Sequence, residues 1–508
     1  MNHFTMMIVL VIAMASIAMA EAGPSFSGLS QETRTQFEKM TAPPSAQERY
    51  GPYSTPMYYL MYKGYTYDGS LDKGPKDRTY IKDKPGPDYG HWELDRNRPD
   101  WQEAMVRDWA ELGLNNTHLN IYPLEDKFDL PADYLKAIGD FATLSEKYGL
   151  KVGVRLDPPG GYVAWDVNPD NPENHLKEYL QWTKTLAGLL KGKTAYWVLG
   201  DELTLYDKSD KDIPEKAWTT QGYLEYFKLV STAIKGVDPG AKVSMFGAES
   251  GKWYVVLNLL KHGYAQYGDA VAINYYNYMD VPRFFDDARK LAPNLMFLSN
   301  GVGYCSNGLV AQRYPEGDGY SKLPTEEAHA DAIAKNMFAW WDLGASTAPY
   351  YISLRNWVLD GKVYPRWFGF FGFEDYVIEN DKLSVKRYPG WYAMSTITHT
   401  FYNRDQFITP GFAVKSSEKL TMQRAYEHKL PGGSELLLML WNDGGDVKTT
   451  IDLGSTAYRF AVRVDNCNYE KWSDVAYRVE DGHTLMDVEV GSQPVILRLM
   501  KVDSTAAR

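Results

Sequence analysis

The chain is poor in cysteine, has no basic tract and, beyond its N-terminal residues, has no long apolar run. Its 508 residues include two cysteines, Cys305 and Cys467, which is too few for a disulfide scaffold but leaves one bridge open. A net charge of −11 argues against nucleic acid or an anionic membrane as the main partner. The nine histidines include no His-x-x-x-His pair, and no glycine-rich phosphate fingerprint is present. The sequence therefore indicates no cofactor and no metal.

Residues 1–20 have the features of an export signal. The apolar stretch from Met6 to Ala18 is too short to span a bilayer, and the Ala18-Met19-Ala20 run offers small residues for cleavage. We expect a signal peptide over 1–20 and a mature protein that is secreted, extracellular or periplasmic, and not held in a membrane. A retained amphipathic anchor is the alternative. Residues 21–57 are rich in Pro, Ser and Gln and are expected to form a lead-in segment.

The region 58–402 alternates short apolar runs with amphipathic stretches of helical length, which is typical of repeated βα units. About eight such strands predict an α/β fold, a (β/α)8 TIM barrel. The predicted strands are Tyr58–Tyr62, Asn116–Ile121, Lys151–Leu156, Ala195–Leu199, Lys242–Phe246, Ala270–Asn274, Leu295–Leu298 and Pro349–Ser353. The predicted helices are Trp101–Leu112, Pro131–Tyr148, Pro172–Leu190, Tyr223–Lys235, Trp253–Tyr267 and Thr325–Leu343.

The pattern changes in residues 403–508, where strand-like runs alternate with turns such as Asn442-Asp443-Gly444-Gly445. This region is expected to be a C-terminal all-β domain of sandwich type. The predicted strands are Gly411–Val414, Leu436–Trp441, Thr449–Leu453, Tyr458–Val462 and Val495–Leu499.

The segment from Tyr196 to Glu202 is the strongest functional signal, because a buried apolar strand ends in two adjacent carboxylates. Side chains alternate faces along a strand, so we expect Glu202 to point inward and Asp201 to brace the turn. For an isolated Asp-Glu pair, the simpler interpretation is a capped turn and a solvated glutamate.

The other predicted strands also end in polar residues, and functional residues of TIM barrels lie at these ends. Any one polar strand end is weak evidence, since strand ends meet water, but acids, tyrosines and a tryptophan converging on one mouth are stronger. With 15 Trp and 38 Tyr, stacking surfaces for sugar rings are available, although most aromatic residues fill cores. The predicted set is Arg155, Asp157, Asp201, Glu202, Glu249, Asn274, Tyr275, Tyr276, Ser299, Asn300, Arg355, Asn356 and Trp357, with Trp165 and Trp253 as further stacking surfaces.

From about Trp101 to Tyr402 the chain resembles glycoside hydrolase clan A, in particular its β-xylosidase and α-iduronidase branch. The similarity lies in Tyr223–Val243, Ile273-Asn274-Tyr275-Tyr276 and Ile352–Trp357, which is followed by the similar runs Phe370–Phe373 and Tyr388–Ala393. The resemblance implies a carbohydrate substrate and places Glu202 where the family has its general acid/base. Asp201 replaces the family's Asn, and its charge would raise the pKa of Glu202.

A second departure concerns the seventh strand, where Leu298-Ser299-Asn300-Gly301 replaces the family's Thr-Glu ending. An amide cannot form the usual glycosyl-enzyme ester, so three interpretations stay open. Glu249, or less favourably Asp280, is a base for water, which implies inversion. Alternatively, an acetamido group of the substrate is the nucleophile, oriented by Asn300 or Tyr275. In the third, the barrel is a pseudoenzyme that binds carbohydrate without cleaving it.

Overall fold

The computed structural model describes residues 28–38, 53–60, 93–94, 98–121, 132–159, 164–207, 213–214, 217–248, 252–274, 281–301, 305–306, 322–323, 325–346, 348–349, 354–365, 372–430, 433–465 and 468–502. The chain divides into two compact units. One is Arg49–Tyr402, and the other joins Met1–Glu48 to Asn403–Arg508. The predicted signal peptide and most of the lead-in segment lie outside the described residues, so both stay predictions.

The helices of the described residues follow the apolar spacing of the sequence. Their N-termini include two with hydroxyl caps, where Thr219 and Thr325 accept hydrogen bonds from the backbone N–H of Gly222 and Ala328. The helices are α1 (Gln31–Glu38), α2 (Pro99–Glu111), α3 (Ala132–Lys147), α4 (Leu176–Leu189), α5 (Thr220–Val237), α6 (Tyr254–Lys261), α7 (Val281–Leu291), α8 (Glu326–Asp342) and α9 (Pro389–Thr400). All six predicted helices overlap observed ones, but two are shorter than predicted, because Pro172–Asn174 and Tyr264–Gln266 are separate 3-10 turns before α4 and after α6.

The unit 49–402 is built on a parallel sheet. The strands are β1 (Tyr53–Leu60), β2 (Glu93–Leu94), β3 (Asn116–Ile121), β4 (Lys151–Leu156), β5 (Thr194–Asp201), β6 (Leu205–Tyr206), β7 (Trp218–Thr219), β8 (Val243–Ala248), β9 (Ala270–Asn274), β10 (Met296–Gly301), β11 (Cys305–Ser306), β12 (Lys322–Leu323), β13 (Ala348–Pro349), β14 (Leu354–Leu359), β15 (Lys362–Pro365), β16 (Glu374–Glu379) and β17 (Lys382–Arg387). The main sheet has the order β10-β9-β8-β5-β4-β3-β1-β13, every neighbouring pair is parallel, and β2 pairs with β1.

From β1 to β10 the strand order of this path follows chain order, as repeated βα units require, and β13, the last of these strands in the chain, pairs with β1. The predicted strands at β3, β4 and β9 coincide with the observed ones, and the other predicted barrel strands overlap theirs. The prediction of a parallel α/β unit is therefore confirmed. Beside β10, the N–H of Ser346 donates to the carbonyl of Phe297 at 2.7 Å, two residues before β13 begins.

The predicted eighth strand, Pro349–Ser353, overlaps β13 at its first residue, where Ala348–Pro349 pairs with β1, and residues 350–353 lie outside the described residues. The residues that follow form β14, which belongs to a separate sheet of order β15-β14-β16-β17. No glycine or proline interrupts residues 350–358, so the sequence offers no turn signal between the predicted strand and β14. Arg355, Asn356 and Trp357 therefore lie on a different sheet from the predicted one.

One face of the parallel sheet carries a small apolar core. Tyr196 and Val198 on β5, Ala270 and Ala272 on β9, and Leu298 on β10 pack together and are almost completely buried. Small side chains alternate with large ones across this cluster, so the layer is filled. The polar residues at the ends of β5 and β9 therefore come directly after buried apolar side chains of the same strands.

The other unit contains two antiparallel sheets. Its strands are β18 (Phe407–Ile408), β19 (Lys415–Ser416), β20 (Met422–Leu430), β21 (Gly433–Trp441), β22 (Val447–Asp452), β23 (Tyr458–Asp465), β24 (Asn468–Asp474), β25 (Tyr477–Glu480), β26 (His483–Val490) and β27 (Val495–Lys501). The sheets have the orders β18-β20-β21-β27-β23-β24 and β19-β22-β26-β25, around a core of leucine, valine and methionine side chains. The predicted all-β character is correct, but residues 411–414 form no strand.

Candidate functional site

The carboxyl ends of β4, β5 and β9 bring the predicted polar residues together around Arg155, which lies near the end of β4. Its guanidinium donates to both oxygens of Asp157, at 2.9 and 2.8 Å, and its Nη1 lies 2.8 Å from Oδ2 of Asp201. All three side chains are nearly buried, at 7%, 10% and 11% exposure, so these ion pairs are poorly screened by solvent. Arg155 thus fixes two carboxylates at neighbouring strand ends.

Asn274, the last residue of β9, links the two adjacent acids. Its Nδ2 donates to Oδ1 of Asp201 at 3.1 Å and to Oε1 of Glu202 at 2.8 Å. Asn274 is 3% exposed, and its Oδ1 accepts no hydrogen bond from the described residues. An unsatisfied buried carbonyl oxygen next to an acid is unusual and is a ready acceptor for a substrate hydroxyl.

The backbone explains why both carboxylates reach the same amide. Gly200 has φ +98° and Glu202 has φ +47°, which interrupts the alternation of faces expected along β5. The prediction that the two acids point to different sides is therefore wrong. A Cβ on Gly200 would also lie 3.2–3.3 Å from Leu203 and Phe246, so glycine is required there for space as well as for conformation.

The positive φ of Glu202 is the kind of local strain that accumulates at functional sites. After the turn, the N–H of Glu202 donates to the carbonyl of Gly247 on β8 at 2.8 Å, so the strained residue is held by the sheet. The Glu202 side chain is half-buried. The expected effect of Asp201 on the pKa of Glu202 stays a prediction, and the charge of Arg155 on Asp201 opposes it.

Beneath this cluster lies a polar pair that sequence reasoning missed. Nδ1 of His118 on β3 is 2.9 Å from the hydroxyl of Tyr196 on β5, and both residues are buried. The Tyr196 ring crosses β4 at Gly153, where a Cβ would come within 2.3–2.8 Å of the ring and hydroxyl. Burial, and after it the charge of Arg155, lowers the pKa of His118 to about 3, so this histidine is neutral at physiological pH.

Asn120 was also missed, although it lies beside Arg155 in the register of β3 and β4. It is 1% exposed, and its side chain interacts with the His118 imidazole on the same strand. The available signal was the alternation His118-Leu119-Asn120, which places two polar side chains on the same face of a buried strand. A buried amide at this edge has the chemistry to bind a sugar hydroxyl.

An aromatic group flanks the Asp157 side of the cluster. The hydroxyls of Tyr179 and Tyr226 are 2.9 Å apart, and that of Tyr179 is 3.4 Å from the carbonyl oxygen of Asp157. Trp165 packs edge-on against both tyrosine rings and is half-buried. Trp253 is half-buried near the Arg283 guanidinium. Trp165 therefore lies beside the site, in agreement with a wall for a ring-shaped ligand.

Arg355 and Trp357 do not join this cluster through their described contacts. Arg355 donates to Glu326 at 2.8 Å and to the carbonyl of Gly372, and its guanidinium lies 4.0 Å from the centre of the Tyr388 ring. Trp357 is 3% exposed and packs against Trp101 and Tyr376. The expectation of an exposed stacking surface at Trp357 is corrected, because its ring is enclosed by other aromatic rings.

Several predicted residues lie outside the described residues. These are Glu249, Tyr275, Tyr276 and Asp280, whose roles stay predictions. Asn300 lies on β10, next to β9, but its side chain is not described. The sequence of β10, Met296–Gly301, contains no carboxylate.

In the described part of the chain, no group of three or more His, Cys, Asp or Glu side chains is arranged to hold a metal ion. Among the same residues, no helix combines the length and the apolarity that crossing a bilayer requires.

No family model matches the chain, and no curated protein does. Among solved structures, a family 51 α-L-arabinofuranosidase from Bifidobacterium longum is similar at TM-score 0.48 and 12% identity, over 91% of this chain and 98% of that chain. A glycoside hydrolase family 30 subfamily 8 xylanase from Clostridium acetobutylicum gives 0.46 and 13%, over 79% and 92%. At these values the similarity assigns neither an activity nor a substrate to this chain.

Proposed function

We propose that this protein is a glycoside hydrolase that cleaves O-glycosidic bonds of oligo- or polysaccharides, with Glu202 as the general acid. The observation that carries the proposal is the paired presentation of Glu202 and Asp201 to Asn274, at the carboxyl ends of parallel strands. This edge is where α/β folds place their chemistry. The sequence resemblance to clan A, which assigns the same role to Glu202, supports the proposal independently.

The proposed reaction begins with proton transfer from the Glu202 carboxyl to the glycosidic oxygen as its bond to the sugar carbon breaks. Asn274 holds Oε1 of Glu202, so that the side chain keeps one orientation during the transfer. Asp201, which shares the Arg155 guanidinium with Asp157, retains lone pairs that can accept a hydrogen bond from a sugar hydroxyl. Arg155 and Asp157 maintain this arrangement as a fixed ion-pair network.

The reaction also needs a group that activates the attacking water. Because β10 carries Asn300 and no carboxylate, we propose Glu249 as this base, which implies inversion of the anomeric carbon. Substrate-assisted attack by an acetamido group is the alternative. Comparing 2-acetamido and 2-hydroxy substrates distinguishes the two, because only the former carry the internal nucleophile.

Two further proposals concern architecture and location. We propose that the parallel sheet closes into an eight-stranded barrel, supported by the hydrogen bond from Ser346 to Phe297 beside β10. We also propose that residues 1–20 direct export, so that the protein meets polysaccharides outside the cytoplasm. Sequencing the N-terminus of the protein recovered from its natural host tests the cleavage.

The test of function is release of reducing ends from a broad panel of oligosaccharides and polysaccharides, including 2-acetamido sugars, by the wild type and by Glu202→Gln. We expect the variant to lose roughly 10²–10⁴-fold in rate, the usual contribution of a general acid, with an unchanged melting temperature. Glu178→Gln, which removes an exposed glutamate on α4, is the matched control and should retain full rate. Full turnover by Glu202→Gln would remove Glu202 from the mechanism.

A carbohydrate-binding protein without hydrolysis is the second candidate, favoured by the absence of a carboxylate on β10. Calorimetric titration of the same panel distinguishes it from the first. Binding with no release of reducing ends by the wild type would establish the binding function.

A further inference from the structure

We propose that Tyr223 is a positioning residue for Glu202, because its hydroxyl is built into the sheet where the strand turns to present the acid. This inference rests on the proposed function, since it concerns the residue that donates the proton. Tyr223 lies on α5 and does not belong to the polar cluster itself. Its effect on the site is transmitted through the backbone of β5.

The Tyr223 hydroxyl bridges two parallel strands. It donates to the carbonyl of Leu199 on β5 at 2.7 Å and accepts from the N–H of Phe246 on β8 at 3.0 Å. The side chain is 0% exposed, and its ring packs edge-on against that of Phe246. In a parallel pair with Leu199 opposite Met245, the carbonyl of Leu199 would bond directly to the N–H of Phe246. The hydroxyl therefore bonds to both partners of one rung of the ladder.

Along β5, this bridge lies between two backbone hydrogen bonds that join β5 directly to β8 or to the residue before it. Before it, the N–H of Trp197 donates to the carbonyl of Lys242 at 2.7 Å, and after it the N–H of Glu202 donates to that of Gly247 at 2.8 Å. The residue of β5 whose N–H donates to β8 or the residue before it is thus odd-numbered at Trp197 and even-numbered at Glu202. Gly200 and Glu202, which both have positive φ, lie where this change occurs. By bonding to both strands at Leu199 and Phe246, one residue before Gly200, the hydroxyl favours the turn that directs Glu202 toward Asn274.

Tyr264 provides the same chemistry without contacting β5. Its hydroxyl accepts from the N–H of Met245 on β8 at 2.7 Å and donates to the carbonyl of Ala270 on β9 at 2.5 Å. It is also 0% exposed. For both tyrosines burial is the first cause that raises the pKa well above its usual range, so both hydroxyls keep their proton at any pH of interest. Tyr264 is therefore a matched control for the loss of a buried inter-strand hydroxyl.

The experiment compares Tyr223→Phe and Tyr264→Phe with the full-length wild type. Three quantities are measured: thermal stability, the kcat and KM on the best substrate with their pH dependence, and hydrogen exchange of the peptide that contains the Glu202 amide. We expect both variants to lose stability to a similar extent. Only Tyr223→Phe should lower kcat, by about tenfold or more as small displacements of reacting groups do, with KM within about twofold.

Tyr223→Phe should also shift the limb of the pH–rate profile that reports the acid, and should speed exchange at Glu202, whereas Tyr264→Phe should change neither. Equal effects of the two variants on kcat and on exchange would overturn the proposal, as would an unchanged Glu202 amide in Tyr223→Phe. If the wild type hydrolyses nothing, the proposed function fails, and the exchange measurement alone still decides the role of Tyr223.

A milder change keeps the test possible if Tyr223→Phe does not fold. Replacing the tyrosine at 223 or at 264 by 3,5-difluorotyrosine retains the hydroxyl but weakens it as an acceptor. We expect faster exchange at Glu202 only for the replacement at 223. No difference between the two positions would overturn the proposal.

Discussion

Two arginines, one in each unit of the chain, bind carboxylates in buried surroundings, and those surroundings differ. In the all-β unit, Arg498 donates to both oxygens of Glu435 at 2.7 and 2.8 Å, and His428 lies 2.9 Å from the same carboxylate. The Phe407 ring stacks on His428, and the Arg498 guanidinium lies over Trp472. Glu435 is 0% exposed. This cluster is closed and its carboxylate is fully bonded.

The Arg155 cluster has similar bond lengths, but the residues around its ion pairs differ. It includes a half-buried acid with positive φ, Glu202, and a buried amide, Asn274, whose Oδ1 has no hydrogen bond to the described residues. A closed ion-pair network is typical of structure, whereas unsatisfied polar atoms and backbone strain are typical of sites that await a ligand. The contrast indicates that buried charge alone does not mark a functional site. Whether the polar atoms around the charge all have hydrogen-bond partners is the more informative observation.

The largest expected effect concerns the closed cluster. Glu435→Gln removes the charge that balances buried Arg498, and we expect a loss of about 3–5 kcal/mol in unfolding free energy of the all-β unit. Glu427→Gln is the control, because its partner Lys501 is 44% exposed and such a pair contributes about 1 kcal/mol or less. Urea unfolding of both variants checks this, and equal losses would refute the distinction.

The pH dependence of the closed cluster follows from Glu435. Burial raises its pKa, but the charge of Arg498 and the His428 contacts outweigh burial and lower the pKa to about 2. A depressed carboxylate pKa stabilises the fold fully above the unfolded value near 4.5, and this contribution, roughly 3 kcal/mol, is lost as pH falls toward 2. The effect should be absent in Glu435→Gln.

A second pH effect, of roughly 2–3 kcal/mol, is expected for the parallel-sheet unit between pH 6.5 and 4.5. The pKa of His118 is lowered in the fold, so the unfolded chain takes up a proton first and stability falls as pH decreases through this window. His118→Gln should flatten the dependence of the urea midpoint on pH, and His262→Gln, at an exposed histidine, should not. A dependence equally steep in His118→Gln would exclude His118 as its source.

The smallest expected change in stability tests the strained turn. Gly200→Ala should cost about 1–2 kcal/mol for its left-handed conformation and should also lower activity, because its Cβ meets Leu203 and Phe246. Gly192 has φ +74° and open space around it, so Gly192→Ala should reduce stability alone. Loss of activity in both variants would show that the activity does not depend specifically on the turn at Gly200.

How much of this was predictable differs between the strands and the site. The strands β3, β4 and β9 follow from short apolar runs with clear ends, and the meeting of Arg155, Asp201 and Asn274 follows from parallel strand order. Strand β26 was missed, although Met486, Val488 and Val490 alternate with Asp487 and Glu489 at the period of a strand with one buried face, so its sequence did carry the signal. Trp357 was misplaced because no glycine or proline between residues 350 and 357 signals that β13 and β14 belong to different sheets.

The orientation of the two acids was not predictable from strand periodicity. It depends on positive φ at Gly200 and Glu202, and these conformations lie beside a hydroxyl supplied by Tyr223, 24 residues after Leu199. Contacts of this kind arise from tertiary packing, and no local sequence pattern encodes them.

The passage of Tyr196 over Gly153 has a consequence for how this chain can vary during evolution. Any side chain at 153 would displace the Tyr196 ring, and a smaller residue at 196 would leave His118 without this hydroxyl. Positions 118, 153 and 196 should therefore change together in relatives, so that glycine at 153 accompanies tyrosine at 196. A relative that retains the tyrosine but carries a larger residue at 153 would have to rebuild this part of its sheet.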